Sequence, residues 1–355
     1  MKQRNHAFDF LCGLCILRMM LLHVITICSL QHTFWFHKLM AWTFFFMCFF
    51  FFKAGYFNKT VSGNSIEYIK DKSKRLLTPY IAWGFIGTVI YFSFLILFPS
   101  SFTKLTRALE WSHIYKFSYF YGNPPCWFLL SFFMAYIAVH FIEKAFSKVG
   151  HKMRDAYGMA GNRVLTVAYF ALIGSLPFIS YYLWKHHNPM ILSLNNVFMG
   201  VFFFYLGHLW HKMQNRIGRK QTIIISVILI LIFVVGNKMW HGEYHMSHNK
   251  FIQNVWGAGI NATCALCGIS GLLLALPIKR VPVINYIGEH SMVFFVAHQP
   301  LIYFYVFTHQ VFGRSVCKHW DEFITLSVFV IVICLCLVPF VEKVPVLSGR
   351  FKKKN

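Results

Sequence analysis

Acidic residues are scarce in this chain. Asp and Glu together number 11 in 355 positions, and all charged types make up only 13%. A soluble globular domain carries roughly 25% charged residues, so a water-facing surface of ordinary composition is excluded. The sequence also lacks internal repeats, low-complexity linkers and any polar stretch long enough to form a soluble appendage. A cleavable leader is missing too. Lys2 and Arg4 make a basic start, but the apolar run behind them carries Asp9, Arg18 and His23, is too long, and has no small-x-small cleavage site.

What fills the space is apolar and aromatic: 57% of residues are hydrophobic, with 41 Phe, 17 Tyr and 10 Trp. Runs of ~20 apolar residues recur along the chain, and each is long enough to cross a hydrocarbon core of ~30 Å as a helix. The expectation is an all-α, polytopic membrane helix bundle of about ten transmembrane helices, forming a single domain over 1–355. The spans read as roughly 8–30, 39–57, 79–98, 126–143, 164–184, 190–209, 222–238, 252–276, 287–309 and 323–341.

The net charge of +23 would suggest nucleic acid in a soluble protein. Here the cations sit in short clusters between apolar runs, which is how membrane orientation is encoded. Of the 34 Lys and Arg, 23 fall in one set of alternate connections and 9 in the other, while Arg18 and Lys53 lie inside spans. That imbalance places both termini in the cytoplasm, with anionic lipids rather than nucleic acid as partners.

Most of the ten cysteines lie within spans, where Cys behaves as a small hydrophobe, and no metal is expected of them. Cys126 and Cys317 both map to the outer side, where a disulfide is permitted. His241, His245 and His248 form an outer cluster beside His186 and His187, which reads as solvated loop histidines.

Ionisable groups inside a span are costly and therefore candidate functional groups. Asp9 and His23 are 14 residues apart, which returns them to within about 40° of one helix face. Catalysis is one reading; a helix-capping Asp9 and a His23 bonded to a neighbouring helix is the other. Lys53 is either functional or snorkels to the interface. Lys72 and Arg75 share a face next to the membrane and suit either lipid head groups or the phosphates of a cytosolic ligand. His298 either lines the same cavity as His23 or joins helices.

Taken together, these segments resemble the acyltransferase-3 family of integral membrane acyltransferases. The likeness runs from Asp9 and His23 through Gly55-Tyr56-Phe57 to Lys72, Arg75, Pro79 and Tyr80. It continues with Pro125-Cys126-Trp127-Phe128-Leu129 and ends with Gly288, Ser291 and His298. The chain departs from the family pattern at Cys12, where a cation is usual, at Ala54, where Ser is usual, and at Lys72, where Arg is commoner. Arg18 or Lys53 stands in for the missing charge. The resemblance implies transfer of an acyl group, usually acetyl from acetyl-CoA, to a hydroxyl of a sugar or a lipid-linked or cell-surface glycan in a bacterial inner membrane. It casts His23 and Asp9 as catalytic. It casts Lys72, Arg75, Lys53 and Arg18 as donor-binding, and Trp127 and His298 as acceptor-binding. A transporter or flippase of a glycan intermediate is the competing reading, although the inverted repeats expected of one are not visible.

Overall fold

The computed structural model describes residues 5–58, 64–98, 120–186, 191–214, 218–240, 244–246, 250–251, 255–276, 279–314, 316 and 319–351. The described residues are almost entirely helical, relieved only by a two-residue antiparallel pairing of Tyr244–His245 with Lys250–Phe251. In a bilayer each backbone N–H and C=O must find a partner within its own segment, and the helix supplies it.

Nine helical stretches among the described residues are long and apolar enough to cross a membrane. The longest, Trp127–His186, holds two of the expected spans. Its direction reverses at Gly158, whose φ of 56° is the left-handed conformation that glycine tolerates. The rings of Phe146 and Tyr169 lie 5.0 Å apart across that reversal. A straight helix would separate them by roughly 34 Å. The bundle is thus an all-α polytopic membrane architecture.

Helix α1 (His6–Ile27) begins at Asn5, whose side chain caps the Phe8 amide, with Asp9 in the first turn favoured by the helix dipole. The expected second span is broken into α2 (Phe34–Trp42) and α3 (Phe46–Phe57). The break has a local cause. Thr43 turns its hydroxyl back to the Leu39 carbonyl, and Arg18 of α1 donates its Nε to the same hydroxyl at 2.9 Å.

The third span differs from expectation as well. Pro79 does not start a separate helix after a loop. Helix α4 (Ser65–Lys72) runs through a π-helical turn, Ser73–Leu77, directly into α5 (Thr78–Leu97). A wider turn just before a proline relieves the clash between its ring and the preceding turn. The later elements are α6 (Trp127–His186), α7 (Asn195–Gln214), α8 (Arg219–Trp240) and α9 (Val255–Ala275). After them come α10 (Pro282–Glu289), α11 (Ser291–Val311), α12 (Trp320–Val341) and the short α13 (Pro345–Ser348).

Burial separates a hub from a periphery. The most apolar stretch of α11 is 67% buried, whereas that of α8 is 17% buried and leaves Ile223, Ile224, Val227, Ile228 and Leu231 outward. Residues turned outward on such a helix meet lipid. The hub is joined by backbone-to-backbone packing. A Cβ on Gly55 would strike the carbonyl of Phe204, and one on Gly207 the carbonyl of Phe52, so α3 and α7 meet without intervening side chains. In the same way α10 lies on the first half of α1, with Gly13 against Ile284 and Gly288 against the Asp9 carbonyl.

Candidate active site

Two clusters of polar groups sit at different depths along α1. The deeper one contains His23 and His298. Their rings lie 5.2 Å apart between centroids, one on α1 and one on α11. The two elements are brought together because α10 packs on α1 and α11 follows it immediately in the chain. His298 is fully buried, and its Nδ1 lies 3.1 Å from the Phe294 carbonyl and 2.8 Å from that of Phe295. Carbonyl oxygens only accept, so Nδ1 carries the proton and Nε2 keeps a lone pair. That Nε2 is buried and has no hydrogen-bond partner among the described residues. A neutral imidazole with a free, oriented acceptor is the form a general base needs.

Aromatic rings enclose this pair. Phe295 lies 6.3 Å from His298 and 5.4 Å from Phe128, which in turn meets Phe51 at 5.3 Å. Trp127 is buried at the start of α6, 6.0 Å from Phe128, so it reaches the histidines through two phenylalanines rather than directly.

The shallower cluster occupies the end of the bundle that the charge count assigns to the cytoplasm. Lys53 Nζ lies 3.8 Å from Asp9 Oδ1. His6, Asp9 and Glu289 bring their ligand-type atoms within 4.8 Å of one another, a set able to hold a cation. Lys53 and Arg280, the latter 3.3 Å from Glu289, already supply positive charge to both carboxylates. Beside them His290 meets Glu342 at 2.5 Å, and Arg350 meets Glu342 at 2.7 Å. The structure thus brings Asp9 and Lys53 together and places His23 with His298. It separates Asp9 from His23, at opposite ends of one helix about 21 Å apart along the axis.

Arg18 lies between the two clusters and faces a third direction. It is 5% exposed, holds Thr43 and the Met40 thioether, and stacks over Phe46 at 3.8 Å. Lys72 and Arg75 lie at the cytoplasmic end but differ in setting. Arg75 pairs with Asp71 one turn back at 2.9 Å. The Lys72 ammonium rests instead on the ring of Tyr136 at 3.9 Å and near that of Tyr68 at 5.3 Å.

Reading the sequence missed Asn123. It is completely buried and donates to the carbonyls of Trp83 at 3.3 Å and Val296 at 3.0 Å, while its Oδ1 is unpartnered. Residues 120–126, just ahead of α6, therefore pack into the bundle, with Gly122 against the backbone of Gly87. Its sequence signal is an Asn followed by two prolines just ahead of Trp127. Cys126 is buried as a free thiol. Cys317, like His187, His241 and His248, lies outside the described residues, and nothing is described of the His245 side chain.

Apolar helices around the His23–His298 pair, of which His298 is fully buried, with cations gathered at one end of the bundle, define a multi-pass membrane protein. A family model described as an acyltransferase domain matches residues 5–339, nearly the whole chain. The chain belongs to the acyltransferase-3 family and is a membrane acyltransferase. No curated protein and no solved structure matches significantly.

Proposed function

We propose that the protein moves an acetyl group from acetyl-CoA to a hydroxyl of a sugar, on a lipid-linked or cell-surface glycan, in a bacterial cell membrane. The observation that carries the reading is the His23–His298 pair with its free buried Nε2. A hydroxyl is a weak nucleophile at neutral pH and needs a base within hydrogen-bond reach. His298 Nε2 is such an acceptor, and with the His23 ring 5.2 Å from its own the two imidazoles act as one unit on the hydroxyl proton. As that oxygen attacks the thioester carbonyl, the carbon–sulfur bond breaks and the proton passes on to the departing thiolate.

Lys72, seated on aromatic rings, and Arg75 suit the phosphates of the donor at the cytoplasmic mouth. The long pantetheine arm then spans the distance inward to the histidines. Trp127 and its phenylalanine neighbours give the sugar ring an aromatic wall.

The test is thiol release from acetyl-CoA by purified protein, with acetylated glycan followed in parallel. His23→Ala and His298→Ala should each lose transfer yet keep donor binding, and the double variant should be no worse than the poorer single one. Transfer within a few-fold of wild type in both single variants would refute the reading.

A further inference from the structure

Outside the histidine pair, a second activated hydroxyl lies at the cytoplasmic end, where α4 crosses α6. Ser65, Tyr68 and Lys72 recur at helical spacing along one face of α4. Tyr136, His140 and Lys144 recur every fourth residue along α6. The two rows interlock. Lys144 Nζ lies 2.6 Å from Ser65 Oγ, and His140 Nε2 lies 2.9 Å from the same oxygen. The His140 ring is 2% exposed and stacks on Tyr68 at 4.5 Å with planes 16° apart, which holds its orientation.

Donor bookkeeping decides the direction of these bonds. An ammonium has no acceptor, so Lys144 donates to Ser65 Oγ. The Ser65 proton is then available to His140 Nε2 in the tautomer that leaves that nitrogen unprotonated. A serine hydroxyl held between a ring-stacked histidine nitrogen and an ammonium has the parts of a base-assisted nucleophile. Ser65 is partly open and Lys144 is exposed, so the oxygen is reachable from the aqueous side. About two turns along α4 stands Lys72, the cation assigned above to the donor.

We propose that Ser65 is an acyl-accepting nucleophile, loaded from the cytosolic thioester with His140 as its general base. The inference rests on the donor reading of the previous subsection. In the loading step Ser65 Oγ forms a bond to the acyl carbonyl carbon and its proton moves to His140 Nε2. The carbon–sulfur bond breaks, and coenzyme A departs as thiolate and takes the proton from His140. The ester is discharged when a second hydroxyl, or water, gives its proton to His140 as it attacks the same carbon, and His140 passes that proton to the departing Oγ. Nothing is oxidised or reduced. Lys144 positions the oxygen and offsets the negative charge that gathers near it.

The experiment uses the full-length protein with radiolabelled acetyl-CoA, rapid acid quenching and peptide mapping. Wild type should carry label on the Ser65 peptide. Ser65→Ala should carry none, and Ser65→Cys should regain it as a thioester, which separates chemistry from folding. His140→Asn should slow labelling about 10²-fold or more, with donor binding intact by equilibrium dialysis. Single His23→Ala and His298→Ala variants should still label at Ser65, because loading there uses His140 and not the histidine pair. An unlabelled Ser65 in wild-type protein that binds donor would overturn the serine inference and leave the donor reading standing. Absence of donor binding would overturn both.

Discussion

The two ends of α1 are built on opposite principles. At the cytoplasmic end, Asp9 meets Lys53 among other charged groups, and part of the set is open to water. Charges there are matched by opposite charges, and solvent screens what remains. At the deep end, His23 and His298 meet among aromatic rings, and a polar nitrogen is left without a partner. A buried unmade hydrogen bond costs about 1–3 kcal/mol. On the proposed mechanism, the contrast separates an orienting end from a reactive one on a single helix.

The sharpest way to break that contrast is at the histidines. Replacing either by alanine is expected to lower acyl transfer by about 10²–10⁴-fold. Stability should fall little, since interhelical hydrogen bonds in membranes average ~0.6 kcal/mol. Protein level and thermal stability, measured alongside the rate, decide between chemistry and folding. If rate and level drop together, the deep end is structural after all.

The donor side comes next in size. Charge-assisted contacts to phosphate are worth roughly 1.5–3 kcal/mol each. Changing Lys72 and Arg75 together to Gln should therefore raise the KM for acetyl-CoA about tenfold or more while kcat changes little. Donor titration at two salt concentrations checks this: the wild-type affinity should weaken with salt more steeply than the variant's. An unchanged KM would return both residues to a lipid-facing role.

Gly288 tests whether the two ends communicate through packing. A Cβ there collides with the Asp9 carbonyl, so Gly288→Ala must push α10 off α1 and shift α11 with it. Overpacking of this kind costs about 1–3 kcal/mol. The expected result is a lowered melting temperature with a larger fractional loss of activity, because the His23–His298 spacing depends on that contact. Activity loss no larger than the loss of folded protein would show the histidine pair to be held independently of α10.

The smallest effect is expected at the ion pair. Lys53→Met should cost less than about 1 kcal/mol, since the lysine side chain is 23% exposed and partly screened, with Asp9→Asn as the partner arm on a carboxylate that is 9% exposed. A double-mutant cycle read by thermal unfolding in detergent measures the coupling. A coupling well above that range would move Asp9 and Lys53 from the orienting end into the reactive machinery.

Much of this organisation is present in the linear chain. Long apolar runs at ~20-residue length, with cations sorted to one set of connections, specify helices and their sidedness because lipid leaves the backbone no other way to satisfy itself. The spacing of His23 within its span, the basic Lys72–Arg75 turn and the Gly55 contact are equally local facts, readable from residue type and helical period. What the sequence could not decide is which polar groups meet. Asp9 and His23 share a helix face, yet one joins Lys53 and the other joins His298, a residue 275 positions away. The kink where Arg18 docks on Thr43, the inward fold of Asn123 and the tautomer of His298 each depend on atoms from distant segments. Helix periodicity assigns a side chain to a face. Only tertiary packing, through contacts such as Gly13 on Ile284, determines what that face meets.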